Sequence, residues 1–262
     1  IYGGIASSLK KIPYVCTVTG LGVNFAEENF ISRVMLNLQR IAFKKAKKIF
    51  FQNSSNRELF NQHGIALNNG DIVAGSGVNL EKNSFVRYPA NNPVKFLTAA
   101  RIRQDKGYDE LFAAIRRCKI DGVSAEFSIV GWYEDNSYKE IVEKMQKEYN
   151  VVFYSYISHE KIHDVMAEYD CLIQPSHHEG MSNVILEAAA TGRPAIVSNI
   201  PGCKEGVDDN ITGYYFTVKD IDSLYDRICR FVDLSTEERK TMGKRAREKM
   251  ERQFDRKAVV SR

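Results

Sequence analysis

Two carboxylates and two cations have the types and spacing to hold a phosphorylated, hydroxyl-rich ligand. Glu179 and Glu187 stand eight positions apart, with Gly180, Met181, Ser182 and Asn183 following the first of them. On a continuous helix that spacing would be about 12 Å along the axis and roughly 80° around it. A carboxylate accepts hydrogen bonds from sugar hydroxyls and so orients them. The backbone N–H groups of Gly180 to Asn183 lie at an expected helix start, where free amides and the positive dipole end favour an anion. Arg101 and Lys106 stand five positions apart and bracket a second loop. Arginine offers a fork for two phosphate oxygens and lysine a point charge. Each group alone has a plainer reading. A lone Glu187 more often caps a helix or makes a surface pair, and a lone Arg101 or Lys106 is more often solvated charge.

The expected elements bring these groups to one kind of place. Cys171-Leu172-Ile173 reads as a buried strand ending at Pro175, Ser182 to Ala190 as a helix, and Gly192 as its C-cap. From Val94 the pattern alternates strand and helix. Strands are expected over 94–100, 125–131, 151–154, 170–175, 194–198 and 213–216, and helices over 108–118, 137–149, 159–169, 221–232 and 236–254. Right-handed crossovers make this a parallel doubly wound sheet, which binds ligands outside the carboxyl ends of its strands. Both loops follow such ends.

The first third reads less regularly. Helices are expected over 1–11, 30–48 and 55–63, the last with Ser54 as N-cap, and strands over 12–19, 49–53 and 71–78. Thr19 and Gly20 end the first strand, and a loop runs on through Leu21-Gly22-Val23-Asn24-Phe25. Arg40, Lys44, Lys45, Lys47 and Lys48 crowd the end of the long helix. Cations at a negative helix end are the preferred explanation, over a basic surface for anionic lipid head groups. The Asn- and Pro-rich stretch 88–93 reads as a hinge, dividing the chain into 1–90 and 91–262.

The central stretch resembles the donor-sugar signature of retaining glycosyltransferase family 4 in its bacterial cell-surface polysaccharide form. It has Glu, seven residues, Glu, then Ala, a small residue and Gly-Arg-Pro. Arg101 to Gly107 is similar to the family's Gly-Arg, four residues, Lys-Gly motif, with Ala100 replacing the usual Gly. Tyr2 to Ala6 and Thr19 to Gly22 resemble the middle of the acceptor-side domain, with Thr19 where many members carry a His. The resemblance implies a GT-B α/β fold of two Rossmann-like domains, the first present only as its later half. The chain lacks an initial Met and both ends look cut; an earlier half on the order of 100 residues is expected upstream.

It further implies sugar transfer from a nucleotide-diphosphate donor, UDP-sugar favoured, with retention, to a glycan or polyprenyl-diphosphate-linked acceptor. Arg101 and Lys106 would hold the diphosphate and stabilise it as it leaves. Glu179 would contact the donor sugar and Glu187 the ribose, with Gly180, Met181, Ser182 and Asn183 assisting and Thr19 and Gly20 near the reacting centre. Thr19 has no acid or base function. No cofactor and no metal is expected: His177, His178 and Glu179 adjoin too closely to converge on one ion. The expected location is cytoplasmic, peripheral at the inner membrane face.

Composition is permissive. The chain has 262 residues, 44% hydrophobic, with formal charge +4, enough for two modest cores. The basic residues have no stacking aromatics among them, which disfavours nucleic acid. Five cysteines (Cys16, Cys118, Cys171, Cys203, Cys229) are scattered, and Cys16 and Cys171 read as small core residues of a reducing compartment. Two other readings stay open. One is a non-catalytic or split-enzyme nucleotide-sugar-binding module. The other is a GT-B epimerase, which needs acid and base carboxylates that the first third does not offer.

Overall fold

The computed structural model describes residues 1–20 and 30–261, with Ile31 described by its backbone alone. The expected loop residues Leu21 to Phe25 therefore lie outside the described residues. The chain forms two compact units. Unit 1 is Ile1–Ser76 with His178–Met181, and unit 2 is Gly77–His177 with Ser182–Arg262.

Unit 1 contains α1 (Tyr2–Leu9), β1 (Val15–Val18), α2 (Phe30–Phe43), β2 (Lys48–Phe51), α3 (Ser54–Gln62) and β3 (Gly70–Ile72). The strands form a parallel sheet in the order β1-β2-β3. Its core gathers Val18, Ala42, Ile49, Phe51 and Phe60. Phe60 stacks on Phe43 at 5.9 Å and meets Phe51 edge-on at 5.2 Å. Two local expectations are corrected. The long helix stops at Phe43, and Lys48 opens β2 in register with Val15, because the run Ile49-Phe50-Phe51 is worth more as a buried strand. The cap of α3 is Asn53, not Ser54: its side chain accepts the Asn56 N–H at 2.8 Å.

Unit 2 continues with β4 (Val94–Ala99), a 3-10 turn (Gln104–Lys106), α4 (Tyr108–Ile120), β5 (Ala125–Val130), α5 (Tyr138–Tyr149), β6 (Val152–Tyr154), α6 (Ile162–Ala167) and β7 (Cys171–Gln174). Then come α7 (Asn183–Thr191), β8 (Ala195–Ser198), β9 (Gly213–Phe216), α8 (Ile221–Asp233), α9 (Thr236–Lys249), a π-helical turn (Met250–Phe254) and α10 (Arg256–Val260). The six-stranded sheet runs β6-β5-β4-β7-β8-β9, parallel throughout. The chain winds outward from β4 one way and from β7 the other, so the switch point lies between those strands. Two apolar layers cover the two faces, one around Phe96, Phe112, Ile129 and Phe231, the other around Leu97, Leu172, Ile185 and Val197. Helix α6 is shorter than expected, and α10 was not legible because its five residues carry no apolar period. Cys16 is only half-buried, whereas Cys118, Cys171 and Cys203 are buried; none of the five is in a disulfide.

Residues 77–93 strap onto unit 2. Val78 N–H donates to the Phe254 carbonyl at 2.8 Å, and Tyr88 Oη to the Asp170 carbonyl at 3.0 Å. Arg193, fully buried, donates to the carbonyls of Val86 (3.0 Å), Arg87 (3.1 Å), Ala167 (2.7 Å), Thr191 (3.3 Å) and Gly192 (3.2 Å). The Arg of the Gly-Arg-Pro run is thus a structural clamp. Burial pulls its guanidinium pKa down to about 10, against the opposing pull of Tyr88 and Asp170.

Candidate functional site

In unit 2 a cleft of ≈ 410 Å³ opens at the carboxyl ends of β4 and β5. Its lining includes Arg101, Trp132, Tyr156, His159 and Glu187. Arg101 follows β4, and its Nη1 pairs with Glu134 Oε2 at 2.9 Å. Arg103 Nη1 holds the other oxygen, Glu134 Oε1, at 3.1 Å, and Arg103 Nε also meets Asp105 Oδ1. Glu134 thereby presents two guanidinium groups at one strand end. Lys106 closes the 3-10 turn and is not among the cleft-lining residues. The glycine after it is required sterically. Gly107 has φ +73°, and a Cβ there would sit 2.0 Å from the Pro175 carbonyl oxygen. This contact sets the Arg101–Lys106 loop against the end of β7, and His177 N–H adds a bond to the Asp105 carbonyl at 2.8 Å.

Glu187 projects from the second turn of α7 and is half-buried. Burial raises its pKa above the ordinary glutamate value, with His159, Lys82 and Arg256 pulling the other way. A desolvated carboxylate facing an open cleft is costly to keep, so Glu187 is a candidate binding group. Ser182 is the N-cap of α7, but without a side-chain capping bond. Its backbone N–H donates to the Gly202 carbonyl at 2.8 Å. That corrects the expectation that this amide is available to an anion: the Pro201-Gly202 turn after β8 consumes it. Asn183 opens the helix and is exposed.

Unit 1 holds the other expected residues. Gly180 accepts a hydrogen bond from Asn53 Nδ2 at 2.9 Å, and a Cβ on Gly180 would lie 1.4 Å from the Thr19 carbonyl oxygen. A Cβ on Gly20 would touch the Gly180 Cα at 3.4 Å, and one on Gly75 would strike Met181 Cγ at 2.7 Å. Thr19, Gly20 and Gly180 are therefore brought together by backbone contact that leaves no room for a side chain on either glycine, and the Met181 side chain packs over Gly75. Glu179 belongs to this same segment, while Arg101, Lys106, Ser182, Asn183 and Glu187 belong to unit 2. The segment 178–181 is a loop, so the helical spacing considered for Glu179 and Glu187 does not apply.

Sequence reasoning missed Tyr156 and His159, which line the cleft, and Arg103, which shares Glu134 with Arg101. A lone His or Tyr before a short helix carries no spacing signal. Arg103, two positions after Arg101 on an extended backbone, was the one detectable case. Among the described residues no group of three or more His, Cys, Asp or Glu side chains is placed to hold a metal ion.

Residues 81–249, nearly two thirds of the chain, match the model of the family described as glycosyl transferases group 1. The chain belongs to that family. Among curated relatives, it is 26% identical over 244 residues to a Campylobacter jejuni N,N'-diacetylbacillosaminyl-diphospho-undecaprenol alpha-1,3-N-acetylgalactosaminyltransferase, covering 87% of this chain and 63% of the relative. It is 27% identical over 183 residues to the Escherichia coli protein WcaL, a putative colanic acid biosynthesis glycosyltransferase, covering 66% and 44%. The chain thus spans less than two thirds of these relatives' lengths. Among solved structures, Anabaena HepE in complex with UDP-glucose superposes with TM-score 0.83 at 20% identity, covering 99% of this chain and 73% of that one. Sucrose-phosphate synthase from Thermosynechococcus elongatus gives 0.81 at 21%, covering 98% and 68%. These likenesses show the fold: two Rossmann-like α/β units of GT-B architecture. Among the described residues no helix is long and apolar enough to cross a membrane.

Proposed function

We propose that this chain is the donor-binding part of a retaining glycosyltransferase. It takes a sugar from a nucleotide-diphosphate donor, a UDP-sugar, and passes it to a glycan or polyprenyl-diphosphate-linked acceptor in cell-surface polysaccharide synthesis. The observation that carries the reading is the unit 2 cleft, where a guanidinium and a half-buried carboxylate face one space at the sheet's carboxyl edge. Two relatives' names support the acceptor class: the Campylobacter enzyme's, and that of an Escherichia coli UDP-Gal:alpha-D-GlcNAc-diphosphoundecaprenol galactosyltransferase, 25% identical over 273 residues. The UDP-glucose complex of HepE supports the donor class.

In this reading unit 1 is the acceptor side and unit 2 the nucleotide-sugar side. Glu187 accepts hydrogen bonds from the ribose hydroxyls. Arg101 exchanges its Glu134 partner for the diphosphate, and Lys106 adds charge to it as the glycosidic bond breaks and negative charge develops on the leaving phosphate. Glu179 orients the donor sugar, and the amides of Gly180, Met181 and Asn183 assist. Thr19 and Gly20 border the reacting centre. The leaving phosphate takes the acceptor hydroxyl's proton, so no side-chain base is needed, and the enzyme works at the cytoplasmic face of the membrane.

The test is titration calorimetry of the 262-residue chain with UDP, GDP, ADP and NAD, alongside Glu187→Ala and Arg101→Ala. The expected result is binding of UDP that weakens at least tenfold in both variants, about 1.4 kcal/mol. Preference for NAD, or UDP binding untouched by both substitutions, would sink the assignment.

A further inference from the structure

The two loops that follow β4 and β5 are electrically neutral when taken together. Residues 101–107 carry Arg101, Arg103 and Lys106 against Asp105, and residues 131–137 carry Glu134 and Asp135 with no cation. A diphosphate is held by cations that no neighbouring anion opposes, so each carboxylate here needs a reason. Asp135 has one: its Oδ1 accepts the Ser137 N–H at 2.9 Å in the turn before α5. Asp105 meets Arg103 Nε within its own loop. Glu134 has no such local task. Its carboxylate reaches across to the neighbouring loop, with one oxygen on Arg101 and the other on Arg103.

That reach is built into the backbone. The pairing of β4 with β5 continues past both strands: Ile102 N–H donates to the Trp132 carbonyl at 2.8 Å, and the Ile102 carbonyl accepts the N–H groups of Glu134 and Asp135, each at 3.1 Å. Ile102 is fully buried, and Tyr133 packs on Phe153 at 5.3 Å between ring centres. A Cβ on Gly131 would sit 2.0 Å from the Ala100 carbonyl oxygen, so the loops meet backbone to backbone. Glu134 is therefore anchored at its own N–H and cannot move away when Arg101 does. The three side chains of the network all reach solvent, so its ion pairs are weak and readily traded.

We propose that Glu134 is a resident counter-anion of the donor site: it holds Arg101 when no donor is bound, competes with the diphosphate for that guanidinium, and so limits how tightly the spent nucleoside diphosphate is retained. Glu134 is a positioning residue, acting through Arg101, and this role rests on the cleft's taking a nucleoside diphosphate. When Arg101 turns to the phosphates, Arg103 stays on the other carboxylate oxygen, so Glu134 is not left bare. The carboxylate then remains beside the diphosphate as a like charge, which disfavours retention. Arg103 lowers the cost of the exchange without lining the cleft itself.

The experiment is calorimetric titration of the 262-residue chain with UDP, and with uridine in displacement of UDP, for wild type, Glu134→Gln, Arg103→Gln and the double variant. Glu134→Gln should bind UDP about two- to fivefold more tightly, the range of an exposed ion pair, and should bind uridine as wild type does, because uridine has no phosphate to compete for Arg101. A merely structural role predicts weaker binding, so the sign separates the two. Arg103→Gln should weaken UDP by a similar factor, and that loss should vanish in the Glu134→Gln background, because Arg103 acts only through the shared carboxylate. UDP affinity unchanged or lowered in Glu134→Gln, an equal gain for uridine, or the same Arg103→Gln loss with and without Glu134 would overturn the proposal while leaving the donor site standing. Failure of wild type to bind UDP would overturn the donor-site reading, and this role with it.

Discussion

Glu187 offers a quantitative test of the donor site. If its carboxylate accepts a hydrogen bond from a ribose hydroxyl, removing either partner should remove the same interaction. A hydrogen bond to a charged group is worth about 1.5–3 kcal/mol, or roughly 10- to 150-fold in affinity. The half-buried position of Glu187 places it toward the upper part of that range, because the cleft shields the bond from water. The assay is a double-mutant cycle by calorimetry. Wild type and Glu187→Ala are each titrated with UDP and with the deoxy-UDP lacking the contacted hydroxyl. Either change alone should cost the full amount, and the second should then cost little. Glu187→Gln, which keeps an acceptor oxygen, should fall between. Losses that simply add would refute the contact. The same residue predicts a pH signature. Burial raises its pKa, so UDP affinity should fall as pH drops through a value above the ordinary glutamate range. Glu187→Gln should flatten that profile. The stability sign is opposite to that of a paired carboxylate. The folded state holds the proton more tightly than the unfolded chain, so wild type loses stability as pH rises through the raised pKa. Glu187→Gln should accordingly melt higher than wild type at neutral pH and equally at a pH below the unfolded value.

Three other substitutions separate structure from binding. Arg101→Ala breaks a pair exposed on both sides, so it should cost at most about 1 kcal/mol of stability while weakening UDP; a large drop in melting temperature would contradict the geometry. Arg193→Met removes a donor from the carbonyls of Val86, Arg87, Ala167 and Gly192, while Thr191 keeps the Val86 N–H, and should destabilise by more than about 2 kcal/mol, read by urea unfolding; a loss under 1 kcal/mol would mean the strap holds without it. Gly180→Ala forces a Cβ onto the Thr19 carbonyl and should cost about 1–3 kcal/mol; unchanged melting would show that the two segments do not touch.

Much of unit 2 was legible in the sequence, because β4, β7, β8 and β9 are buried on both faces and so read as apolar runs between turn residues. The run Cys171 to Ile173, the helix after Ser182 and its Gly192 cap needed only local information. The charges Glu187 and Arg101 stood out because few side chains serve a diphosphate and a ribose. Spacing along the chain also fixed that both would emerge at the same edge of a parallel sheet. Helix ends were less secure: Lys48 belongs to a strand and Asn53 to a cap, since pairing with β1 and the Asn56 amide decide them.

Tertiary structure alone decided three things. The Ser182 amide is spent on Gly202, a residue twenty positions away whose turn no local pattern positions. Arg193 is a buried clamp and not a phosphate ligand, because the carbonyls that absorb it come from 86–87, 167 and 191–192. And the desolvation that perturbs Glu187 comes from what packs around α7, not from Glu187 itself. Sequence determined which groups were on hand and at which strand ends, since period and turn chemistry are local. The fold decided which of them keep a free hydrogen-bonding valence, because that depends on partners brought from elsewhere in the chain.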